Sequence, residues 1–351
     1  MKGMVLCAGL GTRLRPLTER WPKPAMPLLG GPLLRYALAT LRRAGVSRFG
    51  INTHHLPEVM EAVAREEAGA LEVSREVGAI QGTGGGIRGL RSFLGDGDFV
   101  VLNGDVLFAV DLRPLLEAHR ASGAAATLLL LPMPEGETYA SVDTDAEGRV
   151  WRIAGRGPGR ERLAPWHFTG VHVMSPAVFD FMSASGPEDI NRDVYVRMMD
   201  KGLKLHGHVL RDTRSYWSDL GTPQRYAAAH RDVLSGQVPL DAFGAQGPLA
   251  GTTSLRSGEP VGTSRRLDER HPTARLHEDV KVAGPAFFGA DCVVEAGVRL
   301  GAAVSVGRGA TVGRGARLNR VAVLDGAEVP EGAQLTDVLV GPGGLSVSTL
   351  P

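Results

Sequence analysis

At 351 residues, 43% hydrophobic and 22% charged, the chain has the apolar content of a folded protein of about two domains, which excludes a largely disordered polypeptide. Its 47 glycines and 22 prolines, about a fifth of the residues, fall short of low-complexity composition and point to a turn-rich domain. With 39 lysines and arginines against 38 aspartates and glutamates the formal charge is +1, so no global field draws it to nucleic acid or an anionic membrane, and any anion site must be local.

From residue 1 to 235, short β-rich runs alternate with amphipathic helical runs, the pattern of a layered α/β sheet. MKGMVLCAG reads as the first strand. The stretch 32–44 sets Leu33, Leu34, Ala37, Leu38 and Leu41 on one helical stripe, with Pro32 suited to the first helical position and Gly45 to the stop. RFGIN (48–52) reads as a strand, PEVMEAVAREE (57–67) as a helix, FVVLN (99–103) as a buried strand, 114–121 as a helix and ATLLLL (126–131) as a strand, so the sheet grows largely through βαβ crossovers. HFTGVHVM (167–174) is a further strand with a helix expected over 178–184, and His206 and His208 alternate along another. Thr222 and Pro223 supply the N-cap and first-turn proline of a helix through Leu234.

Residues 236–275 lose this periodicity and are rich in Gly, Pro, Ser, Thr and Arg, which reads as a linker. Over 276–351 a different rule holds: Val282, Phe288, Val294, Leu300, Val306, Val312, Leu318 and Leu324 recur at every sixth position, and two places before each stands a small or β-branched apolar residue, from Val280 to Ala322. No helix has that period. With Gly289, Gly301, Gly307 and Gly313 at recurrent turns it is the hexapeptide signature of a parallel β-helix of about three coils. Unpaired strand edges at the ends of such a coil favour pairing with another chain, so a homo-oligomer is expected.

The densest polar motif follows the first strand: Ala8-Gly9-Leu10-Gly11-Thr12-Arg13, then Trp21-Pro22-Lys23-Pro24. Glycines let the backbone approach a phosphate, and Arg13 and Lys23, in what reads as an exposed loop, can clamp different oxygens of one polyphosphate. A dinucleotide fingerprint needs glycine at position 14, which is Leu14, and the GxxxxGK of a Walker loop is absent. Asn103-Gly104-Asp105 leaves the carboxyl end of a buried strand, where ligands bind in open α/β sheets. Carboxylates with open water positions suit Mg²⁺ on phosphates. Gln81-Gly82-Thr83-Gly84-Gly85-Gly86 reads as a glycine-rich turn, and His54, His55, His206 and His208 form no ligand set.

This constellation resembles the NDP-sugar pyrophosphorylases, the nucleotidyltransferases that join a nucleoside triphosphate to a sugar 1-phosphate. The resemblance covers about residues 1–235, and the hexads match the β-helix that many such enzymes append. It implies a Rossmann-like mixed sheet followed by a short left-handed parallel β-helix. It also implies Arg13 and Lys23 as catalytic cations, Asp105 and Asp219 as Mg²⁺ ligands, and Ala8, Gly9, Gly11 and Thr12 with Gln81 and Gly82 around the nucleotide. Phe168-Thr169-Gly170-Val171 matches the sugar-side strand, with the Gly170 backbone facing the hexose. Where many members carry Glu-Lys-Pro after Gly-Arg-Val, this chain continues Trp151-Arg152-Ile153-Ala154-Gly155-Arg156, leaving Arg156 and Arg160 as the nearby cations.

The expected activity is Mg²⁺-dependent nucleotidyl transfer onto a sugar 1-phosphate, leaning to GTP and mannose 1-phosphate. UTP with N-acetylmuramate or another hexose or heptose 1-phosphate stays open, as does a non-catalytic subunit that senses sugar nucleotides. An acyltransferase working from the hexads is disfavoured because no histidine occurs from residue 278 onward. Cys7 and Cys292 offer neither a disulfide framework nor a CxxC metal pattern, no signal-peptide core is present, and no stretch of about 18 apolar residues occurs. The expectation is a cytoplasmic protein with small-molecule substrates and no nucleic-acid or membrane partner.

Overall fold

The computed structural model describes residues 1–136, 139–212, 214–246, 253–254 and 268–350. Its contacts divide the chain into two compact units, the first made of Met1–Leu10, Thr40–Gly104 and Asp111–Arg214, the second of Gly11–Ala39, Asp105–Val110 and Ser215–Pro351. Packing thus groups the chain differently from sequence character, which separates 1–235, 236–275 and 276–351. Of the linker reading, 247–252 and 255–267 lie outside the described residues, while Leu240–Gln246 is a 3₁₀ run that sends Phe243 into a core.

In the first unit, Lys2–Leu6 pairs in parallel with Arg48–Thr53 on one side and Phe99–Asn103 on the other, and Leu71–Arg75 extends the parallel set. Strand order therefore reverses at Lys2–Leu6, and the crevice at the carboxyl ends beside such a reversal is where ligands gather. Beyond Phe99–Asn103 the pairing turns antiparallel: Ala164–Met174 runs against it, against Ser141–Thr144 and against Ala126–Leu131. The sheet is mixed, as expected. FVVL and TLLL are continuous apolar runs because both faces of their strands are covered, with Met4, Val101, Leu128 and Met174 in one core. The helix expected over 178–184 is a shorter 3₁₀ run, Pro176–Phe181, which ends where Met182 turns extended.

The glycine run is not a flexible turn. Gly82–Gly89 is a helix, although glycine is a poor helix former, because close packing excludes side chains there. A Cβ on Gly84 would stand 2.9 Å from Glu188 Cγ, and one on Gly86 would stand 2.4 Å from Asn52 Nδ2.

In the second unit the segment after the first strand is anchored rather than loose. Leu14, Leu17, Met26 and Leu28 share a core with Tyr36 of the helix Leu33–Arg43, Leu107 of Val106–Ala109, and Leu220 and Tyr226 at the start of the helix Pro223–Leu234. The Tyr36 hydroxyl donates to Leu28 O at 2.8 Å and the Tyr226 hydroxyl to Pro27 O, fixing the hairpin formed by Pro27–Leu28 and Gly31–Pro32. Phe287, Leu324 and Leu339 of the C-terminal strands belong to the same core.

Those C-terminal strands stack in parallel with the winding the hexads predict. Lys281 pairs with Arg299 and Arg299 with Arg317, a step of 18 residues or three hexads per rung. Five strands stack on one face, at Asp268–Arg270, Ala286–Phe288, Val304–Val306 and within Arg317–Val323 and Gln334–Gly341, so the stack exceeds the three coils expected. Phe288, Val294, Leu300, Val306, Val312 and Leu318 fill its interior, whereas Val282, in an outermost strand, is 38% exposed. Leu324 departs from the hexad reading. One residue is dropped after Leu318, since Val306 pairs with Val323 and Arg317 with Gln334, a step of 17. Val321 and Val323 consequently point into the coil, and Ala322 and Leu324 point out into the core shared with Leu17 and Tyr226. Cys7 and Cys292 are buried thiols, and among the described residues no helix is long and apolar enough to cross a membrane.

Candidate active site

Asp105 and Asp219 meet because of an antiparallel ladder. Val106–Ala109 pairs with Tyr216–Asp219 so that Val106 lies opposite Asp219, and Leu220 N donates to Asp105 O at 3.3 Å. One strand begins just after its aspartate and the other ends on its own, which sets the two carboxylates side by side. Lys23 opens the 3₁₀ turn Lys23–Ala25 between two prolines, and its Nζ reaches Asp105 Oδ2 at 3.0 Å and Asp219 Oδ1 at 3.4 Å. Contrary to the exposed-loop expectation, Lys23 is only 5% exposed, because Leu14, Leu17 and Met26 pull its segment into the core. An ammonium so buried requires anionic partners, and it has two.

Arg13, on the turn Thr12–Leu14, keeps a side chain 66% exposed with Nη2 4.0 Å from Asp219 Oδ2. Gly221 makes room for it: a Cβ there would stand 2.6 Å from Arg13 Nη2. Arg225, which the sequence reading missed, places Nη1 3.1 Å from Asp219 Oδ2. The signal was its place one turn into the helix capped by Thr222, whose Oγ1 accepts from Arg225 N at 3.3 Å. The second unit therefore assembles Arg13, Lys23, Asp105 and Asp219 with one further cation. Gly11 and Thr12 lie in the same unit, Gly11 in the left-handed region at φ 61° ahead of the Arg13 turn.

The remaining candidates belong to the first unit. Ala8 is buried, and the space about Gly9 is open, with nothing within 4 Å of a built Cβ. Gln81 caps the glycine helix with both backbone groups engaged, its N–H donating to Glu76 Oε2 at 2.6 Å and its carbonyl accepting from Glu188 N at 3.0 Å. Gly82 has φ +70° and lies against the Glu188 carbonyl, 2.5 Å from a built Cβ. Gly170, at φ +89°, packs on Asn103, the last residue of Phe99–Asn103. Arg160 pairs with Asp145 at 3.2 Å and lies over Trp151, so it is already engaged, while Arg156 is exposed. His206 and His208 sit on Leu205–Val209, where burial lowers both imidazole pKa values, and among the described residues no group of three or more His, Cys, Asp or Glu converges as a metal cluster.

A family model described as nucleotidyl transferase matches residues 2–236. The chain belongs to the nucleotidyl transferase family. Among relatives of this nucleotidyl transferase, a mannose-1-phosphate guanylyltransferase of Mycobacterium tuberculosis is 31% identical over 83% of this chain and 82% of its own. A UTP--glucose-1-phosphate uridylyltransferase of Synechocystis sp. is 29% identical over 84% of this chain and 80% of its own. A D-glycero-alpha-D-manno-heptose 1-phosphate guanylyltransferase of Aneurinibacillus thermoaerophilus is 29% identical over 66% of this chain and 98% of its own.

Proposed function

We propose that this nucleotidyl transferase acts on a sugar 1-phosphate, with GTP and mannose 1-phosphate as its preferred pair and Mg²⁺ as its cofactor. The observation that carries the reading is the Lys23 ammonium held between Asp105 and Asp219 with Arg13 exposed at their edge. The names of the relatives supply the sugar 1-phosphate, and two of the three name guanylyl transfer. UTP remains the competing donor through the uridylyl relative.

A sugar-phosphate oxygen attacks the α-phosphorus, the bond from phosphorus to the bridging oxygen breaks, and pyrophosphate leaves with the electron pair. Such transfer needs positioning and charge neutralisation rather than a covalent nucleophile. Lys23 takes the α-phosphoryl charge and Arg13 the departing β,γ-phosphates. Asp105 and Asp219 would hold Mg²⁺: two carboxylates already converging on one cation fit an ion bound by one or two carboxylates plus phosphate and water. When bound, Mg²⁺ supplies charge neutralisation and alignment of the phosphates. By their motifs, Gly11 and Thr12 of the second unit are assigned to the phosphates beside Arg13, and in the first unit Ala8 and Gly9 are assigned to the phosphates, Gln81 and Gly82 to the base and the Gly170 backbone to the sugar. Residues 1–235 carry this chemistry, and 276–351 serve assembly of a homo-oligomer acting in the cytoplasm.

Pyrophosphate release, measured for GTP, UTP, dTTP, ATP and CTP against mannose, glucose, N-acetylmuramic acid and heptose 1-phosphates, tests the reading. The highest kcat/KM belongs to GTP with mannose 1-phosphate. No release from any pair would refute the transferase reading, and a faster UTP pair would refute the base assignment.

A further inference from the structure

A buried polar relay in the first unit is left over once the candidate site is assigned. Cys7 N donates to Asn52 Oδ1 at 2.9 Å, Asn52 Nδ2 donates to Glu76 Oε1 at 2.7 Å, and Gln81 N donates to Glu76 Oε2 at 2.6 Å. Asn52 is 3% exposed and Glu76 7%. Asn52 stands at the carboxyl end of Arg48–Thr53, the strand paired with Lys2–Leu6, and Glu76 directly follows Leu71–Arg75, the next strand out.

Each end of the relay touches a segment assigned to the nucleotide. At one end Cys7 runs directly into Ala8 and Gly9, and at the other Gln81 opens the glycine helix. Donor and acceptor roles admit one arrangement. The Cys7 N–H fixes Oδ1 of Asn52 as an acceptor, so Nδ2 must face Glu76, and both carboxylate oxygens of Glu76 accept. Among the described residues no cation pairs with the Glu76 side chain, so amide donors alone satisfy this buried carboxylate. The glycine helix is shaped to it, since a Cβ on Gly86 would lie 2.4 Å from Asn52 Nδ2 and 3.0 Å from Glu76 Oε1. A merely buried polar pair has no need to span from one loop to another; this one sets the distance between Cys7 N and Gln81 N.

We propose that Asn52 and Glu76 are positioning residues for the nucleoside triphosphate: they hold the Cys7–Gly9 strand end and the Gln81-Gly82 turn at the fixed spacing that nucleotide binding requires. The inference rests on the transferase reading and deepens it. It makes the relay a determinant of nucleotide affinity with no part in holding the sugar phosphate.

The test uses donor–acceptor logic in the full-length protein. Glu76→Gln turns an NH₂ group toward either the Gln81 N–H or the Asn52 NH₂, and Asn52→Asp sets one carboxylate against another. Each single variant raises KM for GTP by about tenfold or more, the effect of one unmatched buried donor or acceptor, while KM for mannose 1-phosphate stays within about twofold. The double variant restores the match with the roles exchanged. Its new side-chain amide at position 76 can donate to the new carboxylate at position 52, while the carbonyl oxygen of that amide accepts from Gln81 N–H, and KM for GTP returns toward wild type. Singles that raise both KM values equally, singles that raise neither, or a double variant worse than either single would overturn the proposal. If the singles do not fold, the double variant decides, by recovering or failing to recover fold and GTP affinity together. A wild-type protein inactive on every substrate pair would instead sink the transferase reading, so the two failures are distinguishable.

Discussion

The Lys23 ammonium lies 3.0 Å from the Asp105 carboxylate although 82 residues separate them in sequence. With Asp219 on its other side, Lys23 neutralises the two carboxylates that would hold Mg²⁺. Lys23→Ala is therefore expected to lower kcat/KM by about a hundredfold or more, the range for a charge-stabilising group in phosphoryl transfer. It also leaves two neighbouring carboxylates without their shared cation. The Asp105 side chain is 45% exposed, so solvent screening limits the loss of stability. Added Mg²⁺ should raise the melting temperature of Lys23→Ala more than that of wild type, and equal shifts in a thermal melt would show that the carboxylates do not receive the ion.

Arg13→Ala behaves differently. Its side chain is 66% exposed and its ion pair to Asp219 is long at 4.0 Å, so the melting temperature should hold while kcat/KM drops about a hundredfold. A folded variant with wild-type rates would remove Arg13 from the mechanism.

Asp105→Asn and Asp219→Asn are expected to abolish Mg²⁺-dependent turnover singly and to be strongly non-additive together, since each removes a ligand of one ion. Asp219 also anchors Arg225 at 3.1 Å, so Asp219→Asn should lose more stability than Asp105→Asn. Kinetics across a Mg²⁺ titration, with melting curves alongside, check both statements. Unchanged metal dependence in Asp219→Asn would break the two-carboxylate site.

Local periodicity made much of the fold legible, because the runs at 48–52, 57–67, 99–103 and 126–131 carry their burial in their own residues. The charged cluster was legible as a set of motifs but not as geometry. Nothing in the residues themselves announces that Val106–Ala109 pairs with Tyr216–Asp219, the contact that brings Asp105 to Asp219. Three other features also depend on tertiary packing. The glycine run becomes a helix because Glu188, Asn52 and Glu76 crowd it, Lys23 is buried because Leu14 and Leu17 are, and Leu324 points outward because a single residue is missing from one corner of the coil.

Two buried histidines set an acid limit on stability. Burial pushes the pKa of His172 and of His230 down to about 3 from 6.5, and Arg231 adds to the depression at His230. Both are neutral in the folded chain, and the unfolded chain binds protons first as pH falls below 6.5. Their stabilisation is complete above that pH and is lost progressively toward pH 3, at up to about 1.4 kcal/mol per histidine for each pH unit. Thermal melts should fall between pH 7.5 and 5.5, and His230→Gln, which cannot titrate, should fall less. An identical drop in that variant would assign the acid sensitivity elsewhere.

The C-terminal coil offers the sharpest test of how the second unit is built. An independent appendage would keep its apolar residues inside, as Val294, Val306 and Val312 do, and its removal would leave the rest of the unit intact. Phe287, Leu324 and Leu339 instead join Leu17, Tyr36 and Tyr226 in the core beneath Lys23 and its segment. Deleting residues 276–351 takes away one wall of that core, so the truncated chain should be insoluble or molten and without activity, whatever the coil does in assembly. Leu324→Ala reports the same contact within an intact chain. Leu324 is 1% exposed, and its truncation should cost about 2–5 kcal/mol. A cost borne by this core should disturb the anchored Arg13 and Lys23 segment as well as the coil, lowering activity well below the global melt. Leu318→Ala, inside the coil, should cost a similar amount and leave low-temperature turnover intact. A soluble, active 1–275 fragment, or equal effects of the two leucines on turnover, would show that coil and catalytic segment are energetically separate.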